Sequence, residues 1–194
     1  GLDLEKLGRR TDGIIGREIR GQGSGGPEAY RFLGSLTCKG PIWRFDTVPS
    51  LCSKVYQLQD TYGLAGPMLE RIRAAAASRG FPAVVCPDPE HVDRVQHLLV
   101  PELGLAFITS REGMAYDGPA YRRVRLDGML SAAHCKRHKA QLRFMRRMAQ
   151  TLREEGVASL REAKAAHDAL EAVYHPHVDF DGVSACVESE LARL

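Results

Sequence analysis

At 194 residues the chain has the length of one domain, or one domain with an appendage. A hydrophobic fraction of 44% supports a core of ordinary size and excludes general disorder. The net charge of +3 is too small to argue for nucleic acid or a membrane surface as partner.

In chain order, residues 2–19 carry Leu4, Leu7, Ile14 and Ile15 at partly helical spacing, interrupted by Gly8, Gly13 and Gly16, which predicts a loose helix. Residues 21–29 are rich in Gly, Ser and Pro and predict a flexible linker. Residues 30–37 and 41–45 read as strands joined by Cys38-Lys39-Gly40, a β-hairpin, and residues 55–59 as a third strand. A helix follows from Pro67 to Arg79, with Met68, Leu69, Ile72, Ala75 and Ala76 on its apolar face and Gly80 as its stop. Residues 83–86 predict a short buried strand, residues 90–99 a short helix, and residues 103–109 the most strand-like run. Alternation of this kind signals a parallel sheet with crossovers.

Residues 128–155 are rich in strong helix formers and predict a long helix. Gly156 breaks it, and Ser159 caps a second helix that reaches Tyr174, giving an antiparallel helical hairpin packed on the sheet. Leu160, Ala163, His167, Leu170 and Tyr174 line one stripe of that second helix, so His167 is expected as a hydrogen-bonded core histidine. The two ends of the chain echo each other. Leu2-Asp3-Leu4-Glu5 matches Val178-Asp179-Phe180-Asp181, and Arg17 matches Arg193 in the same register. The resulting division is a helical tail of a preceding repeat (1–20), a linker (21–29), a main domain (30–181) and a C-terminal helical tail (182–194).

No apolar run approaches the roughly 20 residues of a membrane-spanning helix. The start, Gly1 to Lys6, lacks the order of a signal peptide and lacks an initiator Met, which points to a fragment of a longer chain. Five scattered cysteines without a CxxC pair argue against a disulfide framework or a zinc ribbon, so the cytoplasm is the expected compartment. His134 and His138 stand at i, i+4 with Cys135 beside them but without a third ligand, and His175 and His177 flank Pro176 at a helix end. No metal site is expected at either. Cys86 has no basic activator nearby in sequence. Lys136, Arg137, Lys139, Arg143, Arg146 and Arg147 make the long helix basic, a solvated face by default and an RNA- or protein-contact face as the alternative.

The run from Val55 to Ile72 has the order strand, glycine-containing loop, helix N-terminus that an anion cradle needs. Its loop holds Gly63 and Gly66, has no Lys to reach phosphates, and puts Pro67 near the place of the Mg²⁺-binding hydroxyl. By sequence rules alone it is a strand-to-helix turn. This run resembles a family of bacterial tandem P-loop ATPase-like proteins. So do FLGSLTCKG (32–40), HLLVPELGLAFITS (97–110) and AKAAHDALEAVYHPHVDF (163–180), and the resemblance covers most of the chain.

The resemblance implies a P-loop NTPase-like three-layer α/β fold with a largely parallel sheet, a preceding β-hairpin and a C-terminal helical hairpin. It also implies ATP and magnesium as the family's cofactors, with an active P-loop half or a second copy as partner. The corresponding loop residues here are Asp60, Gly63, Leu64, Ala65, Gly66 and Pro67. Asp60 falls near the family's first loop Gly, and the Lys and Ser-Thr are gone. An Asp there repels phosphates by about 1 to 4 kcal/mol depending on burial. Thr109, Ser110 and Arg111 end the best strand where a Mg²⁺-binding acid would stand, and Glu102 lies at its other end. The expectation is a non-hydrolysing regulatory or structural half of a tandem ATPase, with no catalytic residue and no metal ligand. The alternatives are an atypical nucleotide binder and a basic-helix interaction module.

Overall fold

The computed structural model describes residues 1–193, so Leu194 of the expected C-terminal tail lies outside the described residues. In chain order the elements are α1 (Leu4–Glu18), β1 (Ala29–Tyr30), β2 (Gly34–Thr37), β3 (Gly40–Trp43), α2 (Val48–Leu51), β4 (Lys54–Gln59), α3 (Gly66–Ser78), β5 (Val84–Asp88), β6 (His91–Val100), β7 (Leu105–Ser110), β8 (Arg122–Arg125), α4 (Ala132–Arg137), α5 (Lys139–Tyr174) and α6 (Phe180–Leu191).

Near-continuous apolar runs in β4, β7 and the second half of β6 suit strands covered on both faces. They form the centre of a six-stranded sheet of order β1-β5-β6-β7-β4-β8. Strand β4 is parallel to both β7 and β8, and β1 is parallel to β5. Strand β6 alone runs antiparallel to its neighbours. The fold is therefore mixed α/β with a mainly parallel sheet. One expectation is corrected here: residues 90–99 are not a helix but strand β6, joined to β5 through Pro89-Glu90. Strand β8, rich in arginine with only Val124 buried, carried no strand signal in the sequence.

Alternation along the strands sends two sets of side chains to opposite faces. Tyr56 and Leu58 of β4 join Leu105 and Phe107 of β7 in a core that also takes Met68, Leu69, Ile72 and Ala76 of α3. Those four α3 residues lie on the predicted apolar face, and Gly80 ends the helix with φ +71°, a conformation that costs glycine little. Val55, Ala106, Ile108 and Leu99 point the other way, into a second core capped by Phe45, Val48, Met114 and Tyr116. Helices thus cover one face, while residues 33–52 and the loop after β7 cover the other. The predicted hairpin forms as β2 and β3, a two-stranded sheet apart from the main one.

Helix α1 is unbroken despite its glycines, and Leu7, Ile14 and Ile19 belong to the α3-side core. Glu18 accepts a 2.5 Å hydrogen bond from the Tyr56 hydroxyl, tying the end of α1 to β4. Segment 21–29, read as flexible, is docked. The N–H groups of Gly23 and Gly25 donate to the carbonyls of Arg79 and Gly80, and Ser24 bonds Glu102.

The expected helical hairpin does not form. Helix α5 runs for 36 residues straight through Gly156 and Ser159. A single interior glycine costs a helix about 1 kcal/mol relative to alanine, too little to break one of this length. His167 is accordingly exposed rather than in the core, 3.5 Å from Glu171. No helix of the described residues is long and apolar enough to cross a membrane.

Candidate functional site

Two connections leave neighbouring strand ends in opposite directions. From β4 the chain passes through α3, on one face, to β5. From β7 it passes through residues 111–121, whose Met114 and Tyr116 pack on the other face, to β8. The carboxyl ends of β4 and β7 therefore flank a topological switch point, where open α/β sheets form their ligand crevice. A cavity of about 660 Å³ opens there. Residues from the 60–67 loop, β6, the end of β7 and α5 line it, and the volume lies within the range of small-molecule sites.

Gln59 ends β4, and the chain turns at Asp60. Gly63 supplies φ +71° within the turn, and α3 starts at Gly66-Pro67. Successive amides in such a turn converge on one point and favour an anion. That point is occupied from within. The Asp60 side chain, 4% exposed, accepts the Leu64 N–H at 2.6 Å on Oδ1 and the Ala65 N–H at 2.9 Å on Oδ2. A second carboxylate holds the front of the loop: Asp127, just past β8, accepts the Thr61 N–H at 3.0 Å and the Thr61 hydroxyl at 2.5 Å.

Of the sequence-predicted site residues, Asp60, Gly63, Ala65, Gly66 and Pro67 line the cavity, and Leu64 contributes its amide to Asp60. Asp127 was missed, because nothing in the sequence marks residues 122–125 as a strand whose end reaches this loop. Glu102 lies at the opposite end of β7, engaged with Ser24.

The remaining walls come from β6 and α5. Glu90, in the β5–β6 turn, meets Arg153 of α5 through two hydrogen bonds of 2.5 and 2.9 Å. The Arg153 guanidinium holds the Glu90 carboxyl below its ordinary range against the opposing effect of burial. Arg146 of α5 lies 4.6 Å from the centre of the Tyr62 ring, a cation–π contact between helix and loop. These two contacts seat α5 over the strand ends.

Beneath them lie two unusual polar side chains. His97 is fully buried, and its Nδ1 accepts the Thr109 N–H at 3.1 Å, which places the proton on Nε2. Burial, reinforced by the charge of Arg111, pushes its pKa down to about 3, so the ring is neutral at physiological pH. Its ring meets Phe45 edge-on at 5.4 Å. Gln96 is 6% exposed, and both amide atoms lack a partner. An unmet buried polar group costs about 1–3 kcal/mol.

Burial also raises the thiols of Cys52 and Cys86, to about 11 and about 12, so neither is a nucleophile at neutral pH. His134 and His138 lie with ring centres 4.5 Å apart, and the described residues place no third ligand group with them. Asp88, Glu90 and His91 do come within ligand distance of one another, but both Glu90 oxygens are already taken by Arg153.

Comparison with protein-family models, curated proteins and solved structures returned no match.

Proposed function

We propose that this chain is a P-loop ATPase-like domain whose phosphate loop is closed by its own carboxylate, and that it acts as the non-hydrolysing regulatory or structural half of a tandem ATPase. The carrying observation is Asp60: its two oxygens occupy the amides of Leu64 and Ala65, which a phosphate would need. A phosphate entering the cradle must displace a buried carboxylate that is bound by charge-assisted hydrogen bonds. The loop offers neither the Lys nor the hydroxyl that would offset the exchange.

Two further features support the reading. The strand–loop–helix unit sits at the switch point of a mainly parallel sheet, the position used by nucleotide-binding α/β domains. The end of β7, Thr109-Ser110-Arg111, carries no acid for Mg²⁺. An active P-loop unit, in the same natural polypeptide or in a partner, then supplies the turnover. The test is phosphate release from Mg·ATP by the chain alone, together with titration of a non-hydrolysable ATP analogue while the Leu64 and Ala65 amide resonances are followed. No release and unmoved amides are expected. Mg-dependent turnover, or a saturable shift of both amides, overturns the reading.

A further inference from the structure

We propose that the cavity over the strand ends binds a small anion that also carries an amide-like edge, with Arg94, Arg111 and Arg146 holding the anionic group and Gln96 reading the edge. The proposal does not depend on the tandem ATPase reading, because none of these residues belongs to the 60–67 loop.

Gln96 is placed by an irregularity in the sheet. Cys86 pairs with His97, but the next residue of β5, Pro87, pairs with Val95. Gln96 is the extra residue between them, a β-bulge in β6. Bulges recur beside binding sites because they re-aim one side chain out of the regular alternation. Here the re-aimed side chain lines the cavity with both its donor and its acceptor unmet. The terminal torsion of a glutamine is broad, so its amide plane turns toward the cavity without leaving a staggered rotamer. A planar ligand edge with an acceptor beside a donor satisfies both atoms at once. Lactams, primary amides and nucleobases present such an edge.

Unpaired guanidinium groups give the cavity a place for an anionic group. Two lining carboxylates are paired within the protein, Glu90 with Arg153 and Glu70 with Arg73, while Asp60 is hydrogen-bonded to the uncharged loop amides. Arg94, Arg111 and Arg146 have no carboxylate partner among the described residues, and the lining carboxylates Asp60, Asp88 and Asp93 have no cation partner. Guanidinium groups bind carboxylate and phosphate in fork geometry, so either anionic group fits. Two sources share this chemistry, a nucleoside monophosphate and a lactam carboxylate.

The experiment titrates the isotopically labelled chain with uridine 5′-monophosphate, pyroglutamate and inorganic phosphate while the Gln96 side-chain NH₂ resonances are followed. At least one of the two edge-bearing anions is expected to shift them saturably and to bind about tenfold or more tighter than phosphate. Which of the two does so identifies the source. Gln96→Leu removes that advantage, and Arg111→Gln weakens all three probes. Gln96→Leu also replaces an unsatisfied amide by an apolar group of similar size, so its melting temperature is expected to hold or rise. No shift of Gln96 with any probe up to about 10 mM, or full retention of the advantage in Gln96→Leu, overturns the proposal. Movement of the Leu64 and Ala65 amides without any shift of Gln96 overturns this proposal and contradicts the closed loop as well.

Discussion

The Asp60 carboxylate lies 2.9 Å from the Ala65 N–H and 2.6 Å from that of Leu64, so the first loop residue fills the turn that leads into α3. One side chain thereby couples fold stability to anion exclusion. In Asp60→Ala, both amides lose their acceptor. The expected cost is about 1–3 kcal/mol of stability, as for buried donors left without a partner. Asp60→Asn keeps one acceptor oxygen and is expected to lose less. Urea denaturation of the three proteins checks the order.

Buried neutral His97 makes the protein sensitive to acid. Its folded pKa of about 3 lies below the unfolded value, so the unfolded chain binds the proton first. The contribution is fully present above about pH 6.5 and is lost as pH falls, by about 1.4 kcal/mol per pH unit. Between about pH 6.5 and 5 carboxylates are still ionised, and His134, held below its ordinary range by neighbouring positive charge, adds to the slope from His97. Denaturation at several pH values is expected to show the slope in the wild type and a clearly shallower one in His97→Gln.

Gly156 occupies a helix interior, and a Cβ there would meet only Leu36 Cδ2, at 3.4 Å. Gly156→Ala is therefore expected to stabilise by up to about 1 kcal/mol, with a small rise in melting temperature. A helix break at this position would predict the reverse.

Glu90 and Arg153 fasten α5 to the β5–β6 turn. A carboxyl held low in the folded state contributes stability above its unfolded pKa and loses it as pH falls through the folded value. In Arg153→Ala, the Glu90 titration is expected to move up toward the ordinary carboxylate range. The global loss is about 1 kcal/mol or less, because the pair is partly exposed. Faster hydrogen exchange near residue 153 of α5 is the local signature.

Where periodicity and burial agree, the fold could be read in advance. Met68, Leu69, Ile72 and Ala76 repeat at helical spacing and form the buried face of α3, and the apolar run of β7 is buried on both sides. The failures have distinct causes. His91–Val100 mixes polar and apolar residues without clean alternation, because its first half leaves the sheet core and a bulge falls at Gln96. Strand β8 is mostly exposed and pairs through its backbone, so its side chains carry little signal. Gly156 signalled a break by local propensity, and helical continuity outweighed it. At the candidate site, the loop was readable from the order of β4, turn and α3. Its closure was not, because the capture of Leu64 and Ala65 by Asp60 and of Thr61 by Asp127 depends on three-dimensional placement.

The most direct test of the closed loop is a pyrophosphate titration of wild type and Asp60→Ala, reading the backbone amides of Leu64 and Ala65 by NMR. The account predicts that both resonances stay in place in the wild type and move saturably in the variant. Saturable movement of both amides in the wild type, at affinity equal to the variant's, would contradict it.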